Sequence, residues 1–340
     1  MEQNVAVIKY IVMNTPANSP LKGVNLGGWL VLERWMTPSL FAGTKAVNEY
    51  ELAQIPGKTR AIQRHHETFI TEEDIAWLQK AGVMALRVPV GFWVLHGHHP
   101  YQSARARLDW LFAMAKKYQL KVLLCLHAAP GAQNNNDHSG SGTAGGFPGW
   151  YRGHNRRMTQ TILLEFAERY GADLWGIELL NEPHVPTPYH YALLRRWTNQ
   201  TIKQLRAMLP GRVHIIASDA YMPALWSGFI RGETLDVHHY QCFSKASRRL
   251  QSFDEHVALL ESAQKRYRSY ARQQPLIIGE WCATLPHQLA STQANRAFCQ
   301  AQLRAWQPHK AWFFWSYKTE NNDSWNFRHL YESGCFTDFL

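Results

Sequence analysis

The chain has 340 residues, 46% of them apolar and 18% charged. That balance excludes disorder as the main state, since disorder needs low hydrophobicity and high charge, and no apolar run reaches the ~18 residues of a membrane span. The net charge is +10, but the basic residues fall in short clusters such as Arg156-Arg157, Arg195-Arg196 and Arg248-Arg249, so no nucleic-acid footprint is expected.

In chain order, residues 1–20 are expected to form an N-terminal extension packed on a single catalytic domain over 21–340. Val5 to Met13 is apolar enough for a flanking strand. Glu2 comes early, Lys9 interrupts the apolar stretch and no cleavage site follows, so no export signal is visible. A cytoplasmic, monomeric protein is the expectation. Eight apolar, β-rich runs then follow: Lys22–Leu26, Ala85–Val90, Lys121–His127, Leu174–Asn181, Arg212–Ser218, Thr234–Tyr240, Pro275–Glu280 and Ala311–Tyr317. Near-continuous apolar runs are what strands look like when both faces are covered.

Helical patterns separate them. Thr71 is a candidate N-cap before Glu72-Glu73-Asp74, with Gly82 closing that helix. Leu108, Leu111, Phe112 and Ala115 repeat at i, i+3, i+4 and i+7. Ile162 to Ala167, Tyr191 to Leu209, Phe253 to Ala271 and Ser291 to Trp306 behave similarly. Only the short Pro223–Ile230 segment follows the fifth run. Long loops are expected at Val31–Ile70, Ala128–His154 and Tyr240–Ser252. Eight strands alternating with helices predict a (β/α)8 TIM barrel of the α/β class. An open doubly wound sheet would carry a GxGxxG turn after the first strand; Gly27-Gly28-Trp29 is not one.

The five cysteines are widely spaced with no CxxC pair and read as reduced thiols, with one disulfide of unassigned pairing as the alternative. Adjacent histidines such as His238-His239 point to opposite faces of a strand, and there is no HExxH, P-loop or GxSxG. No metal and no cofactor are expected.

Barrel chemistry sits at the C-terminal ends of strands. Glu182 follows the fourth run and Glu280 ends the seventh. A carboxylate after a buried strand is either paired structurally or functional, and two across one barrel mouth favour function. Two carboxylates with different surroundings are what glycoside hydrolysis needs. Glu178 shares a face with Glu182 by the period-two rule but lies deeper, and reads as buried polar interior. Arg87, near the end of the second strand, can lower a carboxylate pKa. His238 and Tyr240 share a face beside the seventh strand, His127 ends the third, and Trp315 would put an indole at the mouth.

Several segments carry a resemblance. Lys22-Gly23-Val24-Asn25-Leu26-Gly27-Gly28-Trp29-Leu30-Val31-Leu32-Glu33 with Thr37-Pro38-Ser39-Leu40-Phe41 is similar to the opening of exo-β-1,3-glucanases in glycoside hydrolase family 5. So are Leu86-Arg87-Val88-Pro89-Val90-Gly91, Leu126-His127, Gly176–Pro183, His238-His239-Tyr240, Gly279-Glu280-Trp281 and Phe314-Trp315-Ser316. The resemblance implies a retaining hydrolase of terminal β-glucosyl units, with Glu182 as acid/base and Glu280 as nucleophile. It implies that Asn181 binds the sugar 2-hydroxyl and that Arg87 and Tyr240 position the nucleophile. His127 and His238 would line the cleavage subsite, with Trp315 as the sugar platform. Glu33 would grip the outer hydroxyls of a terminal glucose; its structural alternative is pairing with Arg34 or another basic side chain. Phe243 matches one of two aromatics that clamp the next sugar. Asn136 stands where the other, a Phe, is found in fungal members, and Tyr317 where Trp is common.

The substrate expected is therefore a β-glucan oligosaccharide or other β-glucoside. A glucosyl lipid or small aglycone is the alternative, with the basic charge compatible with an anionic membrane surface. A non-catalytic glucan-binding module is the third reading.

Overall fold

The computed structural model describes residues 19–141, 146–230 and 232–336. The flanking strand expected at Val5 to Met13 lies outside them, as does most of the expected extension. Eight parallel strands close on themselves in sequence order, and among the described residues eleven α-helices accompany them. β1 (Leu21–Asn25) is followed by α1 (Pro38–Phe41), α2 (Glu49–Ala53), α3 (Lys58–Thr68) and α4 (Glu72–Lys80). Then come β2 (Ala85–Gly91), α5 (Arg105–Lys117), β3 (Lys121–Ala128), α6 (Gly153–Tyr170) and β4 (Gly176–Glu178). The second half runs α7 (Pro188–Met208), β5 (His214–Ser218), α8 (Pro223–Trp226), β6 (Thr234–His239), α9 (Phe253–Ala271), β7 (Leu276–Trp281), α10 (Thr292–Trp306), β8 (Ala311–Phe314) and α11 (Phe327–Glu332). The TIM barrel expected from the sequence is the observed architecture.

Local chemistry starts the helices where the sequence suggests. Thr71 and Asp74 form a capping box on α4, and Ser252 and Glu255 form another on α9. Each satisfies two amide donors that a helix start leaves open. Three expectations need correction. The 31–70 segment is not a plain loop, because α1, α2 and α3 lie in it; α3 buries only Ile62 and His66, too narrow a stripe to read as a pattern. β4 and β8 are shorter than their apolar runs: the chain leaves the ladder after Glu178 and after Phe314. Arg87 is third of the seven residues of β2, not near its end.

The barrel interior is layered at period two. Ala85, Leu123, Ile216, Ile277, Ala311 and Phe313 form an apolar plug. Two residues along lie Asn25, Arg87, Cys125, Glu178 and Asp236, all fully buried. The next step up is the mouth. Gly279 lacks a side chain for a reason: a Cβ there would lie 1.9 Å from Asp236 Oδ2, while its amide donates to Asp236 Oδ1 at 2.6 Å.

Candidate active site

Arg87 organises the floor of the mouth. Its Nε and Nη2 donate to the two oxygens of Glu178 at 2.8 and 3.0 Å. The remaining N–H groups reach upward, to Asn25 Oδ1 and Glu280 Oε1, both at 2.8 Å, and to Asn181 Oδ1 at 2.9 Å. Its length lets a residue low on β2 touch residues at the rim. Glu178 is thus the buried partner of Arg87, as expected of an interior residue.

Glu280 faces the mouth because β7 is irregular. Ile277 belongs to the plug and Gly279 abuts Asp236, so strict alternation would turn Glu280 outward. The register shifts after Ile278 against β8 and at Val237/His238 against β6, which sets His238 opposite Glu280. Such an irregularity re-aims a side chain. Tyr240 donates to Glu280 Oε2 at 2.8 Å.

Glu182 comes to the mouth by another route. The chain has left β4, and Glu182 adopts φ of 43°, the left-handed region that non-glycine residues rarely occupy. The period-two relation to Glu178 therefore does not apply to it. His238 Nδ1 lies 2.6 Å from Glu182 Oε1 and 3.4 Å from Glu280 Oε2. An oxygen of Glu182 and an oxygen of Glu280 stand within 4.8 Å of one another.

The electrostatics differ around the carboxyls. Burial acts to raise the pKa of Glu182, but His238, His138 and the Tyr221 hydroxyl outweigh it and bring it down to about 2. Burial acts against the charge on His238, yet Glu280, Asp236 and Glu182 hold its imidazolium well above the usual range. Each group thus favours the charged form of the other across their 2.6 Å contact. Glu33 goes the other way: burial first, then Asp137, raise its carboxyl well above the ordinary value. Glu33 accepts from Trp35 Nε1 at 2.8 Å. Arg34 is turned away to the Ala46 carbonyl at 2.9 Å, so it does not pair with Glu33.

A cavity of about 630 Å³ opens at this mouth. Glu33, His127, Asn181, Glu182, Tyr240, Phe243, Glu280 and Trp315 line it. Arg87 lies beneath it, and His238 is wedged between the two glutamates. The His127 ring stacks on Trp315 with centroids 5.4 Å apart and planes at 9°. Gly27 makes room for that indole, since a Cβ would come within 2.9 Å of it. Phe243 is 57% exposed and joins Tyr240 and Trp325 in an aromatic wall, with Trp35 against Trp325. Asn136 lines the pocket, so an amide and not an aromatic stands at that point of the wall. Tyr317 is not at the mouth; it is buried with its hydroxyl on Asp74 at 2.7 Å.

The sequence reading missed Trp35, Asp137, His138, Tyr221 and Trp325, which also line the pocket. All five lie on loops, where no periodicity marks an inward side chain. Tyr221, like Ala220 before it, sits at positive φ.

The family model described as Cellulase (glycosyl hydrolase family 5) matches residues 45–327. The chain is 34% identical to the probable glucan 1,3-beta-glucosidase A of Emericella nidulans, covering 93% of this chain and 89% of the relative. It is 32% identical to the glucan 1,3-beta-glucosidase of Blumeria graminis, covering 93% and 86%. Among solved structures, the rutinosidase of Aspergillus niger superposes with a TM-score of 0.81 at 19% identity, covering 94% of this chain and 98% of that one; this likeness concerns the fold.

Proposed function

The chain belongs to glycosyl hydrolase family 5, and from that premise we propose that it is a retaining, exo-acting β-glucosidase that removes terminal β-D-glucosyl units from β-1,3-glucan. The observation that carries the reading is the pair Glu182 and Glu280, with oxygens within 4.8 Å. Retaining enzymes hold their carboxyls ~5–5.5 Å apart and inverting ones ~6.5–9.5 Å, to leave room for a water. The identity to proteins named glucan 1,3-beta-glucosidase supports the substrate class.

The proposed roles follow from the contacts. Glu280, held at both oxygens by Arg87 and Tyr240, attacks the anomeric carbon. Glu182 takes the proton from His238 across their 2.6 Å contact and gives it to the departing glycosidic oxygen. Forming the ester removes the charge on Glu280, and with it the strongest attraction that keeps His238 protonated. Glu182, again ionised, then draws a proton from water, which releases glucose with retained configuration. Asn181, fixed by Arg87 at 2.9 Å, is placed for the 2-hydroxyl, and the Trp315 face lies under the ring.

Exo-action rests on Glu33. An oxygen of Glu33 and an oxygen of Asp137 lie within 4.8 Å of each other, so two carboxyls converge on one part of the pocket. They suit the outer hydroxyls of a chain-terminal sugar, which an interior unit no longer has free. We propose a monomer as the working state. Product analysis on long laminarin tests the reading. Glucose alone is expected at early times; mixed oligosaccharides would contradict exo-action. A parallel assay on a glucosyl lipid should show much lower kcat/KM than laminari-oligosaccharides.

A further inference from the structure

His138 lies in a 3-10 turn, Asp137–Ser139, within the loop after β3. Its Nε2 stands 3.4 Å from Glu182 Oε2, while His238 Nδ1 takes Oε1. Two imidazoles, one from the loop after β3 and one from β6, thus divide the two oxygens of one carboxylate. The loop is tied to Glu182 a second time: Asn134 Nδ2 donates to the Glu182 carbonyl at 3.0 Å and lies 2.8 Å from His138 Nε2. On its other side, His138 brings a ring nitrogen within 4.8 Å of carboxylate oxygens of Asp137 and Glu33. His127 faces it edge-on at 5.4 Å.

We propose that His138 is a positioning residue for Glu182: it holds the carboxylate oxygen that His238 leaves over and fixes the plane in which Glu182 passes its proton to the leaving group. The proposal rests on reading Glu182 as the acid/base. The need for such a holder is visible in the backbone. Glu182 sits in a left-handed turn beyond the end of β4, so no ladder hydrogen bond sets its side chain. His238 alone fixes one oxygen and leaves rotation about that contact open. Tyr221 also reaches the carboxylate, but from an exposed position on the loop after β5. His138, held in place by its own turn, completes a two-point grip. With a hydrogen on Nε2 the ring donates to Glu182, and with the lone pair there it accepts from Asn134 Nδ2, one partner at a time.

The test compares His138→Ala and His138→Gln with the parent protein, using aryl β-glucosides with good and poor leaving groups. The glutamine amide nitrogen reproduces the reach of Nε2. A 2,4-dinitrophenyl leaving group needs no proton, so kcat/KM for that substrate should fall far less than for a poor leaving group in both variants. For a phenyl or alkyl glucoside, His138→Ala should lose at least ~10-fold, part of the ~10²–10⁴ that general acid catalysis contributes, and His138→Gln should recover most of it. Melting temperatures establish that both variants fold. Equal loss on good and poor leaving groups, or no loss on either, overturns the proposal. Glu182→Ala, run alongside, separates the two levels. If it shows the leaving-group split and His138→Ala does not, the positioning role alone falls. If Glu182→Ala shows no split, the acid/base reading falls and the proposal with it.

Discussion

Arg87 Nη1 donates to Glu280 Oε1 at 2.8 Å across 193 residues of sequence. The same guanidinium neutralises Glu178 and lies 3.8 Å from Asp236, with no solvent on any side. Removing one member of a buried ion cluster strands the others and costs ~3–5 kcal/mol. Arg87→Ala should therefore unfold at much lower denaturant, measured by chemical denaturation. Arg87→Lys keeps a charge but not the fork, and should retain more stability while losing most activity.

Tyr240 holds the second oxygen of Glu280 from the pocket side. A hydrogen bond to a charged group is worth ~1.5–3 kcal/mol, and each 1.36 kcal/mol is about tenfold in rate. Tyr240→Phe should lower kcat by about 10- to 100-fold with the melting temperature nearly unchanged. Steady-state kinetics and a thermal melt check the two parts together.

Exchanging the two glutamates for alanine should give opposite signatures. Glu280→Ala should lose activity that azide partly restores, giving an α-glucosyl azide in the space of the missing nucleophile. Glu182→Ala should keep its first step for good leaving groups, and azide should then yield the β-azide from the glucosyl-enzyme. NMR of the azide product distinguishes them, and inverted behaviour would reverse the roles.

Glu49 gives a pH-dependent prediction away from the chemistry. It is buried on α2, with Oε2 accepting from the Leu32 amide at 2.9 Å. Burial, only partly offset by that amide, pushes its carboxyl from 4.5 up to about 8. Between those values the folded chain keeps a proton that the unfolded chain has lost. Its contribution to stability is thus fully present at acid pH and is lost as pH rises toward about 8. Glu49→Gln should flatten this slope: little change in melting temperature near pH 4, and a clear gain at pH 8.

The barrel was legible in the sequence because both faces of its strands are covered, which leaves apolar runs that need no partner to be recognised. Glu182 and Glu280 were legible as residues at strand ends, but their aim was not. Strict alternation from Ile277 would have turned Glu280 out of the barrel; the register shift in β7 that corrects it depends on β6 and β8. Glu182 reaches the mouth through a left-handed turn that its sequence, flanked by Asn181 and Pro183, does not announce. His138 and Tyr221 were missed for a related reason. Each is brought to Glu182 by a loop whose path is set by distant contacts, such as Asn134 to the Glu182 carbonyl. Arg87 was placed too high because a strand position was read as a side-chain position; its guanidinium acts well above its Cα.

Trapping with a 2-deoxy-2-fluoro-β-D-glucoside carrying a good leaving group tests the central claim most directly, because the fluorine slows the second step and lets the covalent intermediate accumulate. Intact mass followed by peptide mapping should find one fluoroglucosyl group per chain, esterified to Glu280, and Glu280→Ala should take up none. An adduct on Glu182 or elsewhere, or turnover by the parent protein with inversion and no adduct, would contradict the account.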